Sequence, residues 1–203
     1  MKVPLILVNF KSYAESTGVN ALKLSKICED VSNKYKVNVS IAPNFLDLHQ
    51  VYKKVKIGVF SQHVDPVDAG QFTGHVTCLA IKEAGAIGTL INHSERKLTF
   101  EDVGKCVELT KKYGLISVCF ASIPEEAERI TTFEPDFIAI EPPELIGSGI
   151  SVSNARPEIV LETVSLIKEI NPEIKVLCGA GITTGSDVKK AIELGTVGVV
   201  VAS

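Results

Sequence analysis

The sequence predicts a closed barrel of eight parallel strands, each leading into a helix, and three observations predict it. Apolar, β-branched runs recur eight times in 203 residues, at Leu5–Asn9, Val37–Ala42, Lys56–Ser61, Ile87–Asn92, Leu115–Phe120, Phe137–Ile140, Lys175–Cys178 and Gly198–Val201. They are continuous runs more than strict alternations, as parallel strands buried on both faces require. The stretches between them carry helical periodicity and short connections, and eight is a number of strands that closes on itself. An open doubly wound sheet would want a glycine-rich turn after the first strand, and Asn9-Phe10-Lys11-Ser12-Tyr13 lacks one.

The elements follow in order. Leu22, Leu24, Ile27, Cys28 and Val31 form an apolar stripe after the first strand, with lysines and glutamates opposite. Thr99–Asp102, Ser122–Glu125 and Thr184–Asp187 each read as a hydroxyl-x-x-acid helix start. Pro157 suits the first turn of the helix holding Ile159, Val160, Val164 and Ile167. Gly85, Gly114 and Gly195 stand where helices should end before the next strand. No linker or low-complexity tract divides the chain, so residues 1–203 read as one domain. The sequence ends at Ser203, directly after the eighth strand, with the final helix of such a barrel absent. The outer surfaces of the first and last strands are therefore expected to be less covered, unless further chain or another chain lies over them.

Composition narrows the function. Net charge is −3 with no basic block, which argues against a nucleic-acid surface. No apolar stretch approaches the roughly 20 residues that span a bilayer. The opening Met1–Leu5 runs straight into a strand and leaves no room for a signal peptide, so a cytoplasmic protein is expected. The five cysteines have no CxxC spacing and mostly apolar neighbours, and read as buried, reduced thiols.

In a barrel of this class, reactive groups gather at the carboxyl ends of the strands. Three apolar runs end in useful side chains: Asn9 and Lys11 after the first, His93 after the fourth, Glu141 after the sixth. Glu141 reads either as a structural carboxylate paired with Arg96 or a lysine, or as a base. Pro142 and Pro143, then Ile146-Gly147-Ser148-Gly149, give it the stiff hinge and small-residue tip of a closing lid, which favours the base. His93 precedes Ser94-Glu95-Arg96, room for a short helix whose positive end would disfavour a cationic ring. A neutral imidazole still donates to a carbonyl oxygen gaining charge. His49, His63 and His75 lack this setting and share no metal-ligand spacing. Lys11 reads as an anion holder or as a Schiff-base lysine. The anion role is favoured because Cys178-Gly179-Ala180-Gly181, followed by a helix start, resembles a phosphate loop, with Ala202 and Ser203 completing the cup.

Asn9-Phe10-Lys11, Gly74-His75, Asn92-His93-Ser94-Glu95-Arg96, Ile140 through Gly149 and Gly179-Ala180-Gly181, taken together and in this order, resemble the triosephosphate isomerase family, in its compact archaeal form. That likeness implies a TIM barrel and interconversion of glyceraldehyde 3-phosphate and dihydroxyacetone phosphate through an enediolate, in glycolysis and gluconeogenesis. It implies Glu141 as base, neutral His93 as electrophile and proton shuttle, and Lys11 as the positive charge, roles that are the family's established pattern. Asn9, Phe10, Ile146, Gly147, Gly181, Ala202 and Ser203 would contact the substrate, and Glu95 would support. The loop Asp65–Gly74 would insert into a neighbouring subunit, with Thr73 reaching across, in a homo-oligomer that the archaeal likeness makes a tetramer. No metal or organic cofactor is implied. A Schiff-base aldolase on a similar barrel, or an impaired barrel scaffold, are the alternative readings.

Overall fold

In a computed structural model of the chain, described for residues 1–142, Leu145 and 151–202, eight strands close into a barrel in sequence order, β1-β2-β3-β4-β5-β6-β7-β8, with every pair parallel. The order of elements is β1 (Leu5–Asn9), α1 (Val19–Tyr35), β2 (Asn38–Ala42), α2 (Leu48–Tyr52), β3 (Gly58–Ser61), α3 (Cys78–Glu83), β4 (Gly88–Ile91), α4 (Phe100–Tyr113), β5 (Ile116–Ala121), α5 (Pro124–Thr131), β6 (Phe137–Ile140), α6 (Val152–Ala155), α7 (Pro157–Ile170), β7 (Lys175–Cys178), α8 (Gly185–Glu193) and β8 (Gly198–Val201). All eight expected strands exist; β2 to β5 start one or two residues later than the apolar runs suggest.

Two cores explain the apolar composition. One fills the barrel with alternate strand residues, including Leu5, Leu7, Phe60, Leu90, Phe120 and Leu177. The other lies between strands and helices, with residues such as Ile41, Ile91, Val107, Ile130, Val160 and Ile167. Strands buried on both faces read as unbroken hydrophobic runs for this reason. On the seam strands, Ile6 and Val8 of β1 and Val201 of β8 are half-buried and packed against the outer core.

The caps decide where several helices start. Thr99 accepts from Asp102 N, and Thr184 and Asp187 form a reciprocal capping box. Pro157 is the first residue of α7, and Gly114 ends α4 at φ 64°. Ser122 does not cap α5: Pro124 takes the first helical position, so Ile123 becomes the cap. The α1 stripe holds for Leu22, Leu24 and Cys28, which pack on the core, and is corrected at Ile27 and Val31. Ala21, Ser25 and Cys28 set the buried face, and Ile27 and Val31 lie round the helix, 58% and 41% exposed.

All five cysteines are free and buried, as expected. Burial pushes the thiol of Cys28 up to about 11 and those of Cys78, Cys106 and Cys178 up to about 12. Thiolate is the reactive form. An aromatic disulfide reagent should therefore modify the native thiols at least about 100-fold more slowly than the denatured ones. A fast native phase would show that a thiol is not enclosed as described.

Candidate active site

The carboxyl ends of the strands share one mouth, and the backbone there is unusual. Lys11 after β1, Asn92 after β4 and Ala180 after β7 all have positive φ, at 50°, 63° and 65°. Non-glycine residues in that region are held by their surroundings, and such strain gathers at functional sites.

Hydrogen bonds hold Lys11 in place. Asn9 Oδ1 accepts from Lys11 N at 3.0 Å. Gln62, just past β3, donates from Nε2 to Lys11 O at 2.8 Å and to Ala42 O at 2.9 Å. One amide thus laces the ends of β1, β2 and β3 together. The Lys11 ammonium is turned to Glu95, with Nζ 2.8 Å from Oε1.

His93 caps the three-residue 3₁₀ turn Ser94–Arg96. Its Nδ1 accepts from Glu95 N at 3.2 Å. A ring nitrogen that accepts carries no hydrogen, so this bond assigns the hydrogen to Nε2 and the neutral tautomer to the ring. The short helical turn expected beside the imidazole is present. Phe120 packs edge-on against the ring, with centroids 4.9 Å apart.

Glu141 directly follows β6, donating its N–H to Ala121 O at 2.8 Å. Its side chain is buried, and Oε2 lies 3.2 Å from His93 Nε2. That approach is close in distance but not aligned as a hydrogen bond, and Oε2 has no hydrogen-bond partner among the described residues. Arg96 reaches Asp65 instead, at 3.4 Å, so the expected alternative of a Glu141–Arg96 pair is not realised. Gly179 makes room for the carboxylate: a Cβ there would stand 3.2 Å from Glu141 Cβ and Oε1.

Lys11, His93 and Glu95 face one cavity of about 270 Å³, walled also by Asn44, Gln62 and His63. Burial pushes the His63 ring below its ordinary range, and Asp65, 3.0 Å from its Nε2, offsets this only in part. Sequence reasoning passed over Gln62 and Asn44. The strand-end rule that found Lys11, applied to β3 and β2, would have reached both.

Other expected site residues fall differently. Phe10 is buried in the outer core, so its side chain packs, and only its backbone is at the mouth. Beyond the phosphate loop, Asp187 Oδ2 accepts from Thr183 N and Thr184 N, at 3.1 and 2.8 Å, so those two amides are already taken. Those amides hold the Asp187 carboxyl below the usual range. Gly181, at φ 67°, leaves the backbone turn itself. Ala202 is exposed after β8, and Thr73 is exposed on the loop between Asp65 and Val76, which pair backbone to backbone at 2.8 Å. Ile146, Gly147, the rest of the lid tip and Ser203 lie outside the described residues.

Comparison with known proteins agrees in kind. A family model described as "Triosephosphate isomerase" matches residues 4–203. The triosephosphate isomerase of Methanothermus fervidus is 51% identical over 203 residues, covering all of this chain and 91% of that protein. That of Methanobacterium bryantii is 48% identical over 202 residues, covering all of this chain and 89% of the other. Among solved structures, triosephosphate isomerase from Bartonella henselae superposes with a TM-score of 0.77 at 18% identity, over all of this chain and 93% of that one, a likeness of fold.

Proposed function

The chain belongs to the triosephosphate isomerase family, and we propose that Glu141, His93 and Lys11 carry out its interconversion of D-glyceraldehyde 3-phosphate and dihydroxyacetone phosphate in glycolysis and gluconeogenesis. The observation that carries this assignment is the buried Glu141 oxygen, which has no hydrogen-bond partner among the described residues and is set 3.2 Å from the imidazole. Leaving a buried carboxylate oxygen unpaired costs stability, so its retention supports a task.

The division of labour follows from donors and acceptors. A triose carbonyl oxygen takes the hydrogen of His93 Nε2, which puts the adjoining carbon beside the Glu141 carboxylate. Glu141 removes a proton from that carbon, and His93 stabilises the oxygen as charge builds on it. His93 gives its Nε2 proton to that oxygen and takes the proton of the neighbouring hydroxyl, so that when Glu141 returns its proton to the neighbouring carbon the isomerisation is complete with no net change in atoms. Lys11 turns from Glu95 toward the substrate anion, with Asn9 holding its backbone. Ile146, Gly147, Gly181, Ala202 and Ser203 are assigned to the phosphate by family likeness.

The same likeness supports a homo-oligomer, tetrameric in the compact archaeal manner, with Thr73 at the subunit contact, and a cytoplasmic site of action. No helix among the described residues is long and apolar enough to cross a membrane.

Lys11→Met tests the anion role. A charge-assisted contact contributes about 1.5–3 kcal/mol, so affinity for triose phosphate and for a phosphonate analogue should fall about 10–100-fold. Unchanged affinities would remove Lys11 from substrate binding. Borohydride trapping of substrate on Lys11 would instead establish Schiff-base chemistry.

A further inference from the structure

The segment from Asn92 to Leu98 holds both His93 and Glu95, and it is tied at its neck by a carboxylate from another element. Asn92 Oδ1 accepts from Leu98 N at 3.0 Å, closing the segment on itself. Asn92 Nδ2 donates to Phe120 O and to Glu126 Oε1, both at 2.9 Å. Lys97 Nζ donates to the same Oε1 at 2.8 Å. The other oxygen, Glu126 Oε2, accepts from Ser122 N at 2.7 Å, which anchors the carboxylate to the end of β5.

Glu126 therefore grips both ends of the segment, and Asn92 also fixes the strand residue whose ring packs on His93. The grip matters because Asn92 is buried at a φ of 63°, a conformation that needs holding. Burial raises the Glu126 carboxyl, but bonds from Lys97, Ser122 and Asn92 outweigh it and leave the group below its ordinary range. Its clamp is thus ionised throughout the neutral range.

We propose that Glu126, on the outer helix α5, is a positioning residue that acts through Asn92 to fix the direction of His93 and the reach of Glu95. The proposal rests on the catalytic assignment of His93 made above. Glu126 touches no reacting atom, so its effect should appear as misplacement of His93 and not as loss of substrate binding.

The experiment is a double-mutant cycle with full-length protein: Glu126→Ala, His93→Gln and the pair, assayed per folded site by steady-state isomerisation. Glu126→Ala should lower kcat about tenfold with KM within about twofold, as expected when a reacting group is misplaced. In the His93→Gln background the same change should have almost no further effect, because coupled residues are not additive. Lys97→Met, which removes an exposed cation but leaves the Asn92 bond, should retain activity within about twofold.

If Glu126→Ala does not fold, the isosteric Glu126→Gln takes its place. Its one remaining oxygen cannot serve both Asn92 and Ser122, so a smaller fall in kcat with the same coupling is expected. Loss by the same factor in both backgrounds, or loss only of folded protein, would overturn the proposal. Full activity in His93→Gln alone would instead overturn the assignment of His93, which keeps the two failures apart.

Discussion

Glu141→Gln should lower kcat by about 10³-fold or more, inside the 10²–10⁴-fold range that a positioned acid–base group contributes. The amide matches the carboxylate in shape and cannot accept a proton from carbon. Its folded state should be no less stable than the parent, because the change removes a buried charge whose Oε2 has no hydrogen-bond partner among the described residues. Binding of a phosphonate analogue should persist, since Lys11 is untouched. Glu141→Asp keeps the charge but draws it back by one methylene, and a displacement near 1 Å costs about 10²-fold. The checks are kcat, uptake of solvent deuterium into product, and the denaturation midpoint. Glu141→Gln with undiminished turnover would remove Glu141 as the base, whatever its surroundings.

That candidate site was legible because polar side chains interrupt a strong apolar signal. Lys11, His93 and Glu141 each follow a run of buried strand residues, and a barrel rule brings strand ends together without any knowledge of contacts. The strand-end position of Gln62 was legible, but the bonds made by Gln62 and Glu126 were not, for the opposite reason. Their roles are hydrogen bonds to residues 51 and 34 positions away, and nothing in local sequence marks a glutamine that braces a lysine backbone or a helix glutamate that braces an asparagine. Asp187 is an intermediate case. The capping pattern Thr184–Asp187 was visible, but its consequence, that the amides of Thr183 and Thr184 are no longer free for an anion, needed coordinates.

The fold was legible where burial is two-sided and less so where it is one-sided. Strands between two cores have no polar face to disguise them, and all eight were found. Helix α1 has only one buried face, and several apolar residues can compete to define it. Ala21 and Cys28 lie on that face, and Ile27 and Val31 lie off it. The start of α5 shifted for a backbone reason: proline at the first helical position fixes the helix start more firmly than a serine cap two residues earlier.

Gly198→Ala should be the most destabilising single methyl that can be added to the barrel seam. Gly198 pairs with Leu5 where β8 meets β1, at a φ of 152°. A Cβ there would lie 2.0 Å from Leu5 O and 2.7 Å from Leu5 N, backbone atoms that cannot rotate aside. Relief requires β1 and β8 to part at their amino ends, where Leu5 N also donates to Val197 O at 3.0 Å. On its other side β8 registers with β7 through Cys178 and Val199, so β1 carries most of its pairing. A loss of about 4 kcal/mol or more is expected, the range reserved for backbone clashes and broken cores. Gly185→Ala is the control: among the described residues nothing lies within 4 Å of that Cβ, and the position begins α8, so it should be neutral or stabilise by up to about 1 kcal/mol. Urea midpoints of the two variants decide it, and a Gly198→Ala midpoint equivalent to less than about 1 kcal/mol of loss would show that the seam yields. Gly198 stands at the start of its strand, the end opposite the chemistry. Whatever fraction of the variant folds should therefore turn over at the parent rate, which separates the closure of the barrel from the reaction at its mouth.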